Sequence, residues 1–392
     1  MQVGALVLVG TPSEQQARLG SPAETIGEVP IALLDVLGRS VLQRLLEWLH
    51  HSGIVTATTV IADITSKARR FLPGSLSPQV TWIEAAGPQL WKAAENCFTE
   101  AAHSGAEQVL IFRLGPYMEL ELEPLLQFHL DRASRITAVV DTNGAPVDTF
   151  VASASRRNDV AYLLRHQLKE SRTPCPAFPL RGYFNPLADA ADLRRLAIDG
   201  FTGRAQITPA GRQVRPGLWV ERGARIQRGA RIVAPAFIGR RTKVGAAAVV
   251  TRYSALEHHS KVDWGTVLED TTLLPYTHVG PGLDVCHTVV GLNRLFHLVR
   301  EVEVEIRDAH LVDTISSSAP LRILSGLASL TTFLPAQFCR SVFEALRPKR
   351  GLAAAPDRLV KPSEQEERAG SPISAEVGPA RLELMVSRRS EE

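Results

Sequence analysis

The strongest constraint on the fold of this chain is a six-residue repeat in its second half. Cut into sixes from Val220, the sequence gives VERGAR, IQRGAR, IVAPAF, IGRRTK, VGAAAV, VTRYSA, LEHHSK, VDWGTV, LEDTTL and LPYTHV. The first position is Ile, Val or Leu in ten of ten segments, and the fifth is Ala, Ser or Thr in nine of ten. A fixed short period of this kind is typical of solenoid architectures, in which each repeat is one structural unit.

The repeat predicts a parallel β-helix, in which short strands stack turn upon turn and each aliphatic residue points into a narrow core. We place a left-handed β-helix of hexapeptide repeats at residues 212–315, with a register slip near residues 280–282 and further irregular coils to Ile315. Residues 317–344 are expected to form an apolar capping or interfacial helix. Residues 345–392 mix prolines with charged residues and contain no aromatic side chain, which predicts a disordered tail.

Ahead of the repeat, residues 1–205 alternate short β-rich apolar runs with amphipathic helical patterns, which is typical of βαβ units around a mostly parallel sheet. The expected strands are Gly4–Val9, Thr56–Ala62, Val80–Ile83, Val109–Phe112, Ile136–Val140 and Thr149–Ala154. The expected helices lie between Ser40 and Gly53 and at Pro88–His103, Glu121–Arg132, Arg157–Lys169 and Asp189–Ile198. The predicted fold class is therefore α/β, a Rossmann-like domain followed by the β-helix.

Charge and cysteine content narrow the range of functions. The formal net charge is +3 and no block of Lys or Arg stands out, so nucleic acid is not an expected partner. The four cysteines lie far apart without CxxC spacing, which argues against a zinc site and against a disulfide framework. A reducing, cytoplasmic location is therefore expected, with the apolar N-terminus forming a first strand rather than a signal peptide.

Residues 321–343 form the segment for which we considered membrane contact. Between Arg322 and Arg340 the sequence holds only uncharged residues, but the run includes several polar side chains and is shorter than a bilayer span. A buried or interfacial helix is favoured, and membrane contact through residues 321–343 is the lesser alternative.

Two segments of the N-terminal half resemble motifs of a known enzyme family. Residues 30–39, PIALLDVLGR, resemble the PKxLLPVxGKP segment of sugar-1-phosphate nucleotidyltransferases, the pyrophosphorylases that make nucleotide sugars, in particular those of the mannose-1-phosphate guanylyltransferase type. Residues 182–193, which begin with Gly-Tyr-Phe and end with Ala-Asp-Leu, are similar to the family's GYWxDIGTPEDY segment. With the order of the domains, the resemblance covers about residues 2–315 and implies a nucleotidyltransferase domain before the β-helix.

The resemblance implies in-line attack of a sugar phosphate on the α-phosphorus of a nucleoside triphosphate, supported by a glycine-rich loop, lysines and a magnesium ion held by two aspartates. The chain departs from that pattern at four elements. At the second lysine of the PKxLLPVxGKP motif, by contrast, Arg39 keeps the positive charge. The four departures are a loop after Gly10 without glycine until Gly20, Ile31 at a lysine position, Arg113 where the first metal-binding motif is expected, and Pro186 at the second aspartate.

These departures favour a homologue that has lost catalysis and acts as a regulatory or scaffolding subunit in polysaccharide precursor synthesis. We therefore assign no catalytic residue and no metal ligand. An active sugar-1-phosphate nucleotidyltransferase with a rearranged phosphate loop, which would need Mg²⁺, and a hexapeptide acyltransferase are the alternatives. The expected ligand is a nucleotide or nucleotide sugar, the expected assembly is a homo- or hetero-oligomer, and the expected binding residues are Gly10, Arg39, Gly182, Tyr183 and Asn185.

Two further groups of side chains lie in the repeat. His258 and His259 are expected at a solenoid corner in an exposed or stacking role, with a general base for acyl transfer or a metal ligand as alternatives. His278 is expected at an inward or corner position, in a geometry different from that pair. A set of arginines is expected to form a solvated face, with a basic ladder for phosphates or an acidic partner as the alternative; it comprises Arg222, Arg225, Arg228, Arg231, Arg240 and Arg241.

Overall fold

The computed structural model describes residues 2–10, 25–72, 80–169 and 175–315. The loop after Gly10, the expected helix at residues 317–344 with its apolar stretch 321–343, and the expected tail at residues 345–392 lie outside the described residues. None of the helices in the described ranges combines the length and the apolar character that a membrane crossing requires.

The N-terminal region is built on a seven-stranded sheet. In chain order its strands are β1 (Val3–Val9), β2 (Val55–Ala62), β3 (Val80–Glu84), β4 (Gln108–Arg113), β5 (Ile136–Val140), β6 (Pro146–Ser153) and β7 (Ala177–Pro179). Their spatial order is β7-β5-β6-β4-β1-β2-β3. Strand β6 runs antiparallel to both of its neighbours, and the other pairs are parallel. The six predicted strands are confirmed, and β7 is an additional edge strand.

Helices connect the strands much as the sequence predicts. The α-helices of the described residues are α1 (Val41–His51), α2 (Pro88–His103), α3 (Leu122–Asp131), α4 (Arg157–Arg165) and α5 (Ala190–Thr202). Helix α1 begins where the Ser40 side chain accepts the backbone N–H of Gln43. Helix α4 ends at Arg165 rather than at Lys169, because Gln167 and Leu168 adopt positive φ angles that no helix continues through.

Both faces of the sheet are covered. Alternate residues of β1 and β4 point to opposite sides, as the pleat of a strand requires. Leu6 and Ile111 belong to a core with α2 and α4, whereas Val7 and Phe112 belong to a larger core with α1, α3 and α5. Short segments complete the region, namely two 3₁₀ turns (Ile31–Leu33, Ala68–Phe71) and three two-residue ribbons (Thr25–Ile26 with Val29–Pro30, Asp35–Val36 with Arg39–Ser40, Tyr117–Met118 with Phe184–Asn185).

From Leu218 onward the chain visits three parallel sheets in rotation. Leu218 pairs with Ala236 and Ala236 with Ser254, so the chain returns to the same sheet after 18 residues. We call one such passage through the three sheets a circuit. The strands are Leu218–Val220, Ala236–Ile238, Ser254–Leu256, Thr272–Leu273 and Thr288–Gly291 in the first sheet, Arg225–Ile226, Lys243–Val244, Lys261–Val262 and Thr277–Val279 in the second, and Arg231–Ile232, Val249–Thr251, Val267–Glu269 and Asp284–Cys286 in the third. Arg212–Arg215 adds an antiparallel strand beside the first sheet.

The aliphatic column of the repeat lies inside these circuits. Its members from Ile232 to Leu268 are buried, whereas Val220 is half-buried and Ile226 is 42% exposed because it lies in the first circuit. The register slip occurs earlier than predicted. Val250 still pairs with Leu268, 18 residues on, but Leu256 pairs with Leu273, 17 residues on.

The slip between Leu268 and Leu273 corrects the predicted one at residues 280–282, and it changes which side chains point inward. Leu274 leaves the column and joins the core of the N-terminal region. His278 pairs with Lys261 and its side chain is 21% exposed, so the inward or corner position predicted for it is wrong.

The last described residues are not further coils, which is a second correction. Strands Thr288–Gly291, Arg294–His297 and Val302–Glu305 are antiparallel neighbours, and Val312–Thr314 pairs antiparallel with Thr277–Val279. Leu292 and Asn293 both have positive φ, as a two-residue hairpin turn requires, so the chain folds back instead of starting another circuit.

Candidate functional site at the carboxyl edge of the sheet

The order of the strands makes the carboxyl end of β1 a topological switch point. The chain leaves β1 toward β2 and β3 on one side and returns to β4 on the other, so the connections diverge there. Ligands of open α/β sheets bind at such a point, outside the carboxyl ends of the strands. Asp63 N–H donates to Val9 O and Leu114 N–H donates to Leu8 O, both at 2.8 Å, and Gly10 is the first residue beyond the paired strand. We call this place the carboxyl-edge crevice.

Two charged groups stand at this edge. The side chain of Asp63, after β2, accepts the N–H of Gly87 at 2.8 Å, just before α2. Arg113, at the end of β4, forms an ion pair of 2.7 Å with Asp148, and both side chains are partly exposed. A guanidinium therefore stands where the resemblance places a metal-binding carboxylate. The described residues contain no group of three His, Cys, Asp or Glu side chains arranged to hold a metal ion.

The next acid along the chain, Glu119, serves the local structure. Its carboxylate accepts from the backbone N–H of Gln206, and its own N–H donates to Tyr183 O at 2.9 Å. Gly182 has a steric reason to be glycine, because a Cβ there would overlap the carbonyl oxygen of Glu119.

Tyr183 and Asn185 hold the turn into α5. The Tyr183 hydroxyl donates to Asp199 at 2.6 Å, and burial together with that carboxylate raises the pKa of Tyr183 to about 12. Asn185 is fully buried; its amide donates to Asp192 O at 3.0 Å and accepts the N–H of Leu187 at 2.9 Å. Both ends of the Asn185 amide are thus used within the protein, and ligand binding by Gly182, Tyr183 and Asn185 stays a prediction.

Arg39 is the exposed residue of an otherwise buried ribbon, and its guanidinium contacts Glu47 at 2.6 Å. Ile31 is 1% exposed in the apolar core, so its position is unlike that of a phosphate-binding lysine. Between them, the segment from Asp35 to Gly38 contacts the circuits. Within the motif of residues 30–39, Ile31 thus lies in the core and the segment from Asp35 to Gly38 lies at a contact with the circuits.

That contact is built from buried charged groups. The Glu257 carboxylate, which is completely buried, accepts the N–H of Leu37 at 2.7 Å and that of Gly38 at 2.9 Å. Nδ1 of His258 lies 2.5 Å from Oδ2 of Asp35, and His258 is 4% exposed. Burial, and then the nearby Asp35 charge, raise the pKa of Glu257 well above its usual range. We call these three contacts, with the residues Asp35, Leu37, Gly38, Glu257 and His258, the hairpin clamp.

The structure corrects the exposed position predicted for His258, because Asp35 and the hairpin cover it. The stacking role is found at His259, whose ring lies 5.0 Å from that of Tyr276 at an interplanar angle of 18°. Arg70, on the second 3₁₀ turn, places its guanidinium over the ring of the same tyrosine, 5.2 Å from the centroid. Two sequence signals mark the hairpin clamp. They are the polar residues 257–259 inside the repeat and Asp35, an acid where the family motif has proline.

His259 gives the protein a predicted acid sensitivity. Burial, His258 and the two neighbouring arginines lower the pKa of His259 to about 4. The unfolded chain then binds this proton first, so the contribution of His259 to stability is complete above about pH 6.5 and is lost as the pH falls toward 4. Between pH 6.5 and 4 we expect the unfolding free energy of His259→Phe, which keeps the ring stack, to fall by about 1 kcal/mol less than that of the unmodified protein. Solvent screening keeps this difference below the full energy of the pKa shift.

The measurement is urea unfolding of both proteins at several pH values from 7.5 to 4. His166→Phe is the control, since that ring stacks on Tyr162 in an exposed position. An unchanged pH dependence in His259→Phe would show that the half-buried ring does not carry the effect.

No protein family matches the sequence, and no curated protein matches it either. Among solved structures the chain is similar to HddC from Yersinia pseudotuberculosis, with 15% sequence identity, 51% of this chain and 99% of that chain covered, and a TM-score of 0.38. At that identity and score the likeness carries no argument about function.

Proposed function

We propose that this protein is a nucleotide-sugar pyrophosphorylase homologue that binds a nucleotide or nucleotide sugar in the carboxyl-edge crevice without nucleotidyl transfer, and that it acts as a regulatory or scaffolding subunit in polysaccharide precursor synthesis. In this proposal the three parallel sheets are the faces of a left-handed β-helix. The observation that carries the proposal is the ion pair of Arg113 with Asp148 at the end of β4.

The ion pair of Arg113 with Asp148 favours ligand binding without nucleotidyl transfer, because the transfer needs a metal ion. Attack on an α-phosphorus needs a hard cation between the phosphates, held by carboxylates. At this edge a guanidinium, paired with Asp148, stands in place of the carboxylate that would hold the cation. A phosphorylated ligand would then bind at the carboxyl-edge crevice through backbone groups beside Gly10, while the cation that its reaction needs lacks this ligand.

The hairpin clamp supports the scaffolding part of the proposal. Its five residues lie in or beside the resemblance motif and in the repeat, and they use their polar groups on each other. A segment that handles substrate in the family would here join two regions of one subunit. The acyltransferase alternative gains no support, because a general base must reach its substrate and His258 is buried against Asp35.

The test for turnover mixes the purified protein with nucleoside triphosphates, mannose- or glucose-1-phosphate and Mg²⁺. We expect no steady release of pyrophosphate. We also expect calorimetry to detect binding of a nucleotide sugar such as GDP-mannose or UDP-glucose. Steady pyrophosphate release that a chelator abolishes would show that the protein catalyses nucleotidyl transfer, and it would establish the active alternative.

A matched pair of variants locates the binding site. Gly10 and Gly4 lie at opposite ends of β1, and a methyl group at either would make ordinary contacts, at 3.7 Å to Leu90 and at 3.9 Å to Ala101, respectively. Because a methyl group at the carboxyl end keeps phosphate oxygens from the backbone, we expect Gly10→Ala to weaken nucleotide-sugar binding about tenfold and Gly4→Ala to leave it unchanged. Equal affinities in the two variants would place the ligand elsewhere.

A further inference from the structure

The first circuit and the corner that follows it carry a dense positive charge. Residues 221–243 contain one acid, Glu221, which is half-buried and accepts the N–H of Arg240 at 2.8 Å. Directly opposed like charges, such as Arg225 and Lys243 on neighbouring strands, lower stability unless an anion lies beside them. We call this surface the cationic end; its basic residues, all exposed, are Arg222, Arg225, Arg228, Arg231, Arg240, Arg241 and Lys243.

The cationic end is also an open strand edge. Strand Arg225–Ile226 is the terminal strand of its sheet, and no other described strand pairs with its outer side. Arg225 N–H donates to Thr242 O at 2.8 Å and Gln227 N–H to Val244 O at 3.0 Å, both inward. Because alternate residues of a parallel strand point their backbone groups to opposite sides, the N–H and C=O of Ile226 face outward.

A groove of about 470 Å³ lies along the next strand of the first circuit, Arg231–Ile232, which is the terminal strand of its own sheet. The carbonyl oxygen of Ile232 accepts a hydrogen bond of 2.8 Å from the Arg215 guanidinium, which shows that backbone groups of the next strand also face the open side. Val233 and Ile226, 39% and 42% exposed, give the surface an apolar part among its cations. The lining residues of the groove are Arg215, Ala230, Arg231, Ile232, Val233 and Ala234.

We propose that the cationic end binds an extended acidic segment of a partner protein, which adds as a strand beside Arg225–Ile226. A polypeptide offers the N–H and C=O groups that an open edge needs, and alternating acidic and apolar side chains meet the arginines and Ile226. Phosphates, lipid headgroups and nucleic-acid backbones supply acceptors but not this regular pairing. A second copy of the cationic end would bring the same positive charges.

The proposal is independent of the crevice, because none of the residues of the cationic end lies in the N-terminal region. The probe is a fluorescent peptide of alternating Glu and Val, titrated with the full-length protein and followed by anisotropy. We expect binding that weakens as salt rises and that exceeds the binding of a Lys-Val peptide at least tenfold. The same acidic peptide N-methylated at every backbone nitrogen, which has no N–H left with which to pair as a strand, is expected to lose binding about tenfold.

Two substitutions at one position separate strand pairing from charge. Ile226→Pro removes the outward N–H and leaves the inward hydrogen bonds of Arg225 and Gln227, whereas Ile226→Val keeps it. We expect the proline variant to bind the peptide about tenfold more weakly and the valine variant to bind it like the unmodified protein.

Equal binding of the N-methylated peptide and the plain acidic peptide would overturn the proposal in favour of charge attraction alone, and this comparison needs no variant to fold. Binding of heparin or of phosphatidylserine vesicles without binding of the Glu-Val peptide would also overturn it. Nucleotide-sugar binding measured on the same samples reports separately on the crevice.

Discussion

Arg194→Met is expected to lower the free energy of unfolding by about 3 kcal/mol, since it removes one partner of a buried ion pair. Arg194 lies on α5 and its side chain is 2% exposed. Its guanidinium contacts Asp270 at 2.5 Å, Tyr253 O at 2.8 Å and Thr272 Oγ1 at 3.0 Å. Three groups of the circuits therefore lose their hydrogen-bond donor at once.

The size of the effect depends on what remains around Asp270. That carboxylate is 26% exposed and keeps a contact of 2.7 Å to Nδ1 of His287, so water and the histidine compensate part of the charge. Methionine fills much of the space, so the loss comes from unpaired polar groups rather than from a cavity. Burial lowers the pKa of Arg194, while Asp270 opposes that effect, in keeping with a cation that depends on its partner.

Urea unfolding of Arg194→Met against Arg195→Met measures this contribution. Arg195 is the next residue on the same helix, 55% exposed, and its ion pair with Asp192 lies at the surface, where such pairs contribute less than about 1 kcal/mol. A loss of stability in Arg194→Met no larger than in Arg195→Met would contradict a structural role for the buried pair. In a double-mutant cycle with Asp270→Asn the two losses should be less than additive.

Local patterns were sufficient to predict most elements of the fold. The strands and helices of the N-terminal region follow apolar periods within ten or so residues, and Pro88–His103 is found at its predicted bounds. The aliphatic column likewise predicted which residues of the circuits are buried from Ile232 to Leu268. In both cases the information lies in the spacing of side chains along a short stretch of chain.

Contacts between distant residues could not be predicted in the same way. Glu257 and Leu37 are separated by 220 positions. The polar residues 257–259 and Asp35 are unusual in their segments, but neither signal indicates that the two segments meet. The slip before Leu273 removes one residue from a circuit, and a single deleted position leaves the aliphatic pattern intact because Leu273 and Leu274 are both leucines. The expected binding residues Gly182 and Asn185 were placed by a motif, which does not reveal that the backbone of Glu119 and the turn into α5 use them.

Gly38→Ala is expected to destabilise the protein by about 3 kcal/mol, because the hairpin clamp has no room for a side chain there. Gly38 has a φ of +90°, and a Cβ would lie 2.6 Å from Cβ of Ala210 and 2.9 Å from Cζ of Phe237. The backbone conformation alone costs about 1 kcal/mol for a non-glycine residue. The rest comes from the overlap, which forces the ribbon away from the Glu257 carboxylate that accepts the Gly38 N–H.

Gly53→Ala separates the two contributions. Gly53 also has a positive φ, +66°, but a Cβ there would have no neighbour within 4 Å, so only the conformational cost of about 1 kcal/mol applies. The difference between the two variants in urea unfolding is thus the steric cost at the clamp. If Gly38→Ala lost no more stability than Gly53→Ala, the ribbon could yield without cost, and the clamp would not hold the motif segment against the circuits. Retained nucleotide-sugar binding in a folded Gly38→Ala variant would further show that this segment serves structure rather than ligand.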